Sequence, residues 1–257
     1  MEITAIIQAR MKSTRLPSKV MMPIGKDPLI WYVYNRISLA HRIKKVFVAT
    51  SLDPSDDVLF SYCEDKNIPV FRGSLDDVLD RYYTLAKREK SSHIARVTAD
   101  CPLIDQAILN DMAGRYLKMG NKVDYYSNVH PPTFPDGMDL EIFSFEALET
   151  AWKNAALISE REHVTPYIYN NPSKFRIQNY ENSKNDSWLR LTVDEKEDYE
   201  VVKMIYEHFD FRLDFGLKDI ITFFMDNKEL TEINSRFLRN EGYLKSVRED
   251  KAKNSLN

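Results

Sequence analysis

The sequence predicts an α/β fold: a mostly parallel sheet with helices on both faces, joined to a smaller mixed lobe. Three observations carry that prediction. Short apolar, β-branched runs alternate with helix-like patterns four times before residue 120. Most of the strand runs are apolar throughout, as strands covered on both faces must be. The chain has 257 residues, 43% hydrophobic and 12% aromatic, which is enough for a substantial core. In such a sheet the ligand lies at the carboxyl ends of the strands, so the loops that follow strands should carry the chemistry.

The elements follow in order. Residues 3–8 (ITAIIQ) read as the first strand. Residues 10–19 (RMKSTRLPSK) are polar and basic and contain Pro17, hence a loop. Residues 28–40 read as a helix, with Leu29, Tyr32, Val33 and Ile37 on one stripe and Pro28 in the first turn. Residues 45–51 are the second strand, and 54–66 a helix opened by Asp53 as N-cap before Pro54. Residues 68–72 are a short strand. In 75–89, Leu75, Val78, Leu79, Tyr82 and Leu85 keep helical spacing. Residues 93–98 are a strand and 105–117 a helix.

The repeat stops after residue 120. Residues 123–127, 140–143, 175–180 and 189–193 read as strands. Residues 144–155, 161–170, 195–208 and 216–226 read as helices. Residues 130–139, with Pro131, Pro132, Pro135 and Gly137, are a loop. From Asn227 the chain is highly charged, with one amphipathic stretch at Leu230, Ile233, Phe237 and Leu238. The expected organisation is a single domain over 1–226, with halves at 1–120 and 121–226, and a charged helical tail over 227–257.

Composition excludes several classes. The formal net charge is -3 and the pI about 6.0, with no basic stripe of the kind nucleic acid requires. Cys63 and Cys101 form no C-x-x-C and join no zinc-spaced cluster, so two reduced thiols are expected. No apolar run is long enough to span a bilayer, and the first residues lack a signal-peptide pattern. A soluble cytoplasmic protein is expected, without a membrane or nucleic-acid partner.

Five segments carry chemistry. The loop after the first strand, Ala9-Arg10-Met11-Lys12-Ser13-Thr14-Arg15-Leu16-Pro17-Ser18-Lys19, suits a polyphosphate. Arginine forks grip phosphate oxygens in pairs and lysine adds a point charge. The loop has no glycine, so it is neither a P-loop nor a dinucleotide fingerprint. A solvated basic turn is the competing reading, and the position of the loop argues against it. Thr98-Ala99-Asp100 ends a buried strand on a carboxylate, where a hard cation finds oxygen; a capping role is the alternative. Leu191-Thr192-Val193-Asp194 ends likewise, before a helix that Asp194 would otherwise cap. Arg72-Gly73-Ser74 is another strand-to-helix loop, with Asp77 and Arg81 as weaker candidates. Asp136, Asp139 and Glu141, with Arg161 and His163, lie in the second half. His163 reads equally as a structural histidine.

The pattern Arg10-x-x-Ser13-x-Arg15-Leu16-Pro17-x-Lys19 resembles the triphosphate loop of the CMP-sugar synthetases. These are the cytidylyltransferases that include the CMP-ketodeoxyoctulosonate and CMP-sialate synthetases. The resemblance runs through most of the chain, and is strongest to their relatives in spore-coat polysaccharide synthesis. It implies a nucleotide-diphospho-sugar transferase-like fold. It implies transfer of CMP from CTP to a sugar or sugar-acid acceptor, with release of pyrophosphate, in surface polysaccharide synthesis. It implies Mg²⁺ held by Asp100 and Asp194, and a homodimer. Arg10, Arg15, Lys19 and Asp100 would be catalytic. Ala9, Ser13, Arg72, Gly73, Ser74, Thr98 and Ala99 would join them around the nucleotide. Asp136, Asp139, Glu141, Arg161 and His163 would face the acceptor, and the acceptor oxygen would attack the α-phosphorus in line.

Two alternatives stand beside this. A glycosyltransferase with a nucleotide-sugar donor usually places D-x-D after a central strand, where this chain has Ala99-Asp100-Cys101. A non-catalytic nucleotide-binding protein would keep the fold and lose the metal carboxylates, and both are present.

Overall fold

An apolar run as continuous as Ile3–Gln8 has no face to offer water, and it forms β1 in the interior of the sheet, with Ile3, Ala5, Ile6 and Ile7 fully buried. The computed structural model describes residues 2–254. The first half alternates as expected: β1, β4 (Ile43–Ser51), β5 (Val70–Gly73) and β6 (His93–Thr98) are separated by α1 (Leu29–Ser38), α2 (Asp57–Asp65) and α3 (Val78–Arg88). A small ribbon, β2 (Pro23–Ile24) and β3 (Asp27–Pro28), precedes α1, and α4 (Gln106–Met119) follows β6. The second half contains β7 (Tyr125–Ser127), β8 (Glu141–Ser144), α5 (Phe145–Asn154), α6 (Ile158–His163), α7 (Pro166–Tyr169) and β9 (Ile177–Asn179). Then come α8 (Lys196–His208), α9 (Leu217–Asp226) and α10 (Glu241–Asn254).

Among the described residues the main sheet has seven strands in the order β5-β4-β1-β6-β8-β7-β9. β1 pairs in parallel with β4 and β6, and β4 with β5. β8 runs antiparallel to both β6 and β7, and β9 is parallel to β7. β8 is thus the one reversed strand, and the second half extends the same sheet. Alternate residues divide into two cores. Ile7, Val48 and Val97 pack with Leu29 of α1, Leu109 of α4 and Ile205 of α8. Ile6, Ala49 and Ile94 pack with Leu79 of α3, Leu148 of α5 and Ile168 of α7. Helices therefore cover both faces.

Several expectations need correction. Residues 189–193 are no strand of the sheet. Asp136 and Arg190 form an isolated bridge, with Asp136 N–H on Leu189 O at 3.0 Å and Leu191 N–H on Asp136 O at 2.6 Å. Val193 N–H donates to Asp100 O at 2.8 Å. The segment is extended and apolar at alternate positions, but it ties two loops together instead of joining a sheet edge. The helix expected over 161–170 is two, α6 and α7, broken at Val164, whose φ is +73°. Val164 is fully buried in the second core, and Pro166 restarts the helix. α3 begins at Val78 because Asp77 caps it, accepting from Asp80 N–H at 2.9 Å. Pro28 precedes α1 as its N-cap residue. No helix among the described residues is long and apolar enough to cross a membrane.

Candidate active site

The carboxyl ends of β1, β4 and β6 meet at the basic loop. The ladder runs past the strand ends: Ala9 N–H donates to Ala49 O at 3.1 Å and Ala99 N–H to Gln8 O at 2.9 Å. Both residues are buried and their amides are occupied, so they shape the floor of the site. The loop is held by its own contacts. Ser18 N–H donates to Met11 O at 2.9 Å, and Leu16 N–H to the Ser13 hydroxyl at 3.3 Å. Met11 N–H donates to Asp56 Oδ1 at 2.7 Å, and the other oxygen of fully buried Asp56 accepts from Ser51 N–H at 3.1 Å. The loop lines an open cavity of about 520 Å³ that includes Arg10, Lys12, Ser13, Thr14 and Ser55.

Every cation of the loop meets a carboxylate. Arg10 pairs with Glu162 at 3.2 Å and Lys12 with Asp53 at 2.7 Å. Arg15 reaches Asp194 at 2.8 Å, Glu241 at 3.1 Å and Glu195 at 3.6 Å. Lys19 is the buried member, 8% exposed. Its ammonium donates to Asp100 at 2.9 Å, Asp194 at 2.7 Å and Val193 O at 2.8 Å, which uses all three of its protons. Burial works against its charge, but Asp100 and Asp194 raise it above the ordinary lysine value. Burial likewise opposes charge on Asp100, yet Lys19 and the donated Thr98 hydroxyl bring it down to about 2. Asp194 does not cap α8. Glu195 is the N-cap residue, and the Asp198 carboxylate accepts from Asp194 N–H at 3.0 Å and Glu195 N–H at 2.9 Å. That leaves the Asp194 carboxylate to Lys19 and Arg15, with Arg190 at 3.5 Å.

The strand-to-helix loop after β5 is turned to structural contacts. Arg72 donates to Ser51 O at 2.8 Å and Asp53 O at 3.1 Å, and pairs with Asp57 at 2.7 Å. Ser74 O accepts from the buried Arg81 guanidinium at 3.0 and 2.6 Å, and its hydroxyl accepts from Asp77 N–H at 3.1 Å. A Cβ at Gly73 would lie 2.9 Å from Arg81 Cγ, so glycine makes room for that arginine.

In the second half, Asp136 pairs with Arg190 at 2.8 Å. Arg190 also grips Asp198 with two nitrogens at 2.8 and 2.9 Å and lies 3.5 Å from Asp194. Arg239 pairs with Asp139 and donates to Phe134 O at 3.1 Å. Burial and the neighbouring Asp139 push Asp136 up to about 7, against the pull of Arg239 and Arg190. Burial raises Asp139 as well. The turn between them requires Gly137. Its φ is +98°, and a Cβ would lie 2.4 Å from Thr192 N. Glu141 pairs with Arg96 and accepts from Tyr125 OH at 2.6 Å. Burial opposes its charge, but Arg96 holds it below the usual range.

Arg161 and His163 sit elsewhere than expected. Arg161 binds Asp77 and donates to Trp152 O at 2.8 Å, bracing α6 against the start of α3. His163 Nε2 lies 3.0 Å from Ser246 Oγ, and burial pushes the imidazole down to about 4. It is therefore neutral near pH 7. The geometry draws Arg15, Lys19, Asp100 and Asp194 into one connected cluster. Arg190 links that cluster to Asp136, and Arg10 stands outside it on Glu162.

Sequence reasoning gave no role to Arg190, Asp198 or Arg239. Arg190 and Asp194 precede α8, which begins at Lys196, so their spacing marks no helical face, and tertiary packing brings them together. Arg239 lies 100 residues from Asp139, and no local pattern joins them. Asp56 was also missed, although Asp53-x-x-Asp56 stands at a helix start. As for Mg²⁺, Asp100 and Asp194 offer hard oxygens on either side of one ammonium. That donor set fits a cation held by two carboxylates, with phosphate and water supplying the rest. No group of three or more His, Cys, Asp or Glu among the described residues forms a complete ligand set.

A sequence model of the cytidylyltransferase family matches residues 4–228. An uncharacterised protein of Methanocaldococcus jannaschii is 35% identical over 245 residues, covering 95% of this chain and 98% of that protein. The spore coat polysaccharide biosynthesis protein SpsF of Bacillus subtilis is 34% identical over 235 residues, covering 89% of this chain and 96% of its own length. The solved structure of a cytidylyltransferase from Leptospira borgpetersenii superposes with a TM-score of 0.87 at 35% identity, covering 93% of this chain and all of that one. The chain belongs to the cytidylyltransferase family, and it is a nucleotidyltransferase of that family.

Proposed function

We propose that this enzyme transfers CMP from CTP to a sugar or sugar-acid acceptor, releasing pyrophosphate, in the synthesis of a surface polysaccharide precursor. The observation that carries the reading is Lys19 bridging Asp100 and Asp194 beside the basic loop. Lys19 holds two carboxylates close together against their mutual repulsion. Arg10 and Arg15, with Ser13, would take the β- and γ-phosphates and the charge that develops on the leaving pyrophosphate. Asp100 and Asp194 would hold Mg²⁺, which when bound supplies charge neutralisation at the reacting phosphate. Asp136, Asp139 and Glu141 would face the acceptor and accept from its sugar hydroxyls. The acceptor oxygen attacks the α-phosphorus in line, and positioning with charge neutralisation carries the rate, with no covalent enzyme intermediate. Residues 1–226 would form the catalytic domain, against which the tail packs through α10 and α6.

The test is pyrophosphate release by purified protein with Mg²⁺, each of CTP, UTP, ATP and GTP, and a panel of sugar acids and sugar phosphates. Asp100→Ala runs beside the wild type. Acceptor-dependent release with CTP alone, lost in the variant, supports the reading. Failure to bind CTP in calorimetry overturns it and favours a nucleotide-sugar donor.

A further inference from the structure

Both arginines of the basic loop end on one structural unit. Arg10 meets Glu162 of α6 at 3.2 Å, and Arg15, besides Asp194 at 2.8 Å and Glu195 at 3.6 Å, meets Glu241 in the first turn of α10 at 3.1 Å. The two helices are locked to each other. Asp250 of α10 accepts from Ile158 and Ser159 N–H, the open end of α6, at 2.7 and 3.1 Å. Ser246 of α10 donates to Glu162 Oε2 at 2.8 Å. This lock is buried, with Asp250 7% and Ser246 3% exposed. The two acid–arginine pairs are not: their side chains are 42% and 28% exposed for Arg10 and Glu162, 30% and 36% for Arg15 and Glu241. A polyphosphate reaching the loop therefore meets two guanidinium groups already facing carboxylates of the same unit. Phosphate oxygens suit those forks and bring more charge.

We propose that Glu162 and Glu241 are counter-ions that the polyphosphate of the incoming nucleotide displaces, so that the α6–α10 unit sets the affinity of the loop for nucleotide. The proposal rests on reading the loop as the triphosphate site. Its consequence is opposite to that of a contact that merely builds the site. Exposed pairs open easily, so removing one of these acids strengthens nucleotide binding, by about two- to fivefold.

The experiment titrates the full chain with CTP and Mg²⁺ in a calorimeter, as wild type, Glu241→Gln, Glu162→Gln and Glu249→Gln. Glu241→Gln keeps the shape of a side chain that also accepts from Leu238 N–H at 3.4 Å. Glu249, paired with Lys245 on the same helix, controls for lost charge alone. Tighter binding in the first two variants, fading as salt is raised, with Glu249→Gln unchanged, is the expected result. Should Glu162→Gln misfold in a thermal melt, Glu241→Gln decides alone. Equal or weaker binding by Glu241→Gln, or an equal gain in Glu249→Gln, overturns the proposal and leaves the triphosphate loop standing. No CTP binding by the wild type overturns the loop reading, and the counter-ion role falls with it.

Discussion

Arg10 and Lys12 carry their charge at 42% and 61% side-chain exposure, each facing one carboxylate, whereas Arg190 is 6% exposed and faces three. The two regions adjoin each other and are both dense in charge, yet they hold it differently. The exposed part of the basic loop keeps pairs in high dielectric, where each contributes little and can be exchanged, while Lys19 alone of its cations is buried. The network around Arg190 keeps charges in a low-dielectric interior, where one missing partner leaves an uncompensated ion. The same residue types thus serve a ligand in one place and the fold in the other.

The largest effect expected from that contrast is on stability. Arg190→Leu leaves Asp198, which is fully buried, without its cation, and takes one cationic partner from Asp136 and from Asp194. Chemical denaturation should show a loss of about 3–5 kcal/mol. A loss below about 1 kcal/mol would mean water reaches the network and the contrast is not one of dielectric. Next comes Asp100→Asn, which retains shape and leaves Lys19 with Asp194. Turnover should fall on the order of 100-fold or more, the cost of several kcal/mol at a metal-assisted transition state. Unchanged turnover would remove Asp100 from the metal site.

What the sequence disclosed follows the same division. The strand-helix alternation of 3–117 was readable because each element has a local period, and the basic loop was readable because its cations lie within ten residues. Arg190, Asp198, Asn234 and Arg239 were not, because their pairings and their burial are decided by tertiary packing. Asn234 shows this well: it donates to Arg190 O at 3.1 Å and Asp198 at 2.9 Å from a stretch that looks like a polar tail. Residues 189–193 looked like a strand because apolar residues alternate there, but the Leu191 and Val193 amides go to Asp136 and Asp100. Arg161 looked like an anion ligand, but Asp77 and Trp152 O take its donors. Residue type announces chemistry; only the fold says which partner takes it.

The pH dependence of stability sharpens the comparison with smaller effects. Asp136 is raised to about 7, so the folded chain holds a proton there that the unfolded chain releases near pH 4. Its contribution is present below about pH 4 and is lost as pH rises to about 7. His163 is lowered to about 4, so the unfolded chain takes up the proton first. Its contribution is present above about pH 6.5 and is lost as pH falls to about 4. The two slopes oppose each other over about pH 4 to 6.5. Asp136→Asn should steepen the rise of stability with pH, and His163→Gln should flatten it, in denaturation series at pH 4.5, 5.5 and 6.5. Slopes that move the same way in both variants would show that one of the two groups is not held as burial dictates.

The smallest expected change is the stability of Arg10→Gln. Its pair with Glu162 is exposed on both sides, and Glu162 keeps Ser246 as a donor at 2.8 Å. Unfolding free energy should therefore move by no more than about 0.5 kcal/mol. CTP binding should weaken by about tenfold or more, since a hydrogen bond to a charged group contributes about 1.5–3 kcal/mol. A variant that loses stability by more than about 1 kcal/mol while binding CTP unchanged would place Arg10 with Arg190, as a residue the fold needs and the ligand does not. The opposite outcome, a stable protein with weak nucleotide affinity, assigns the charge of the loop to the ligand, as its exposure requires.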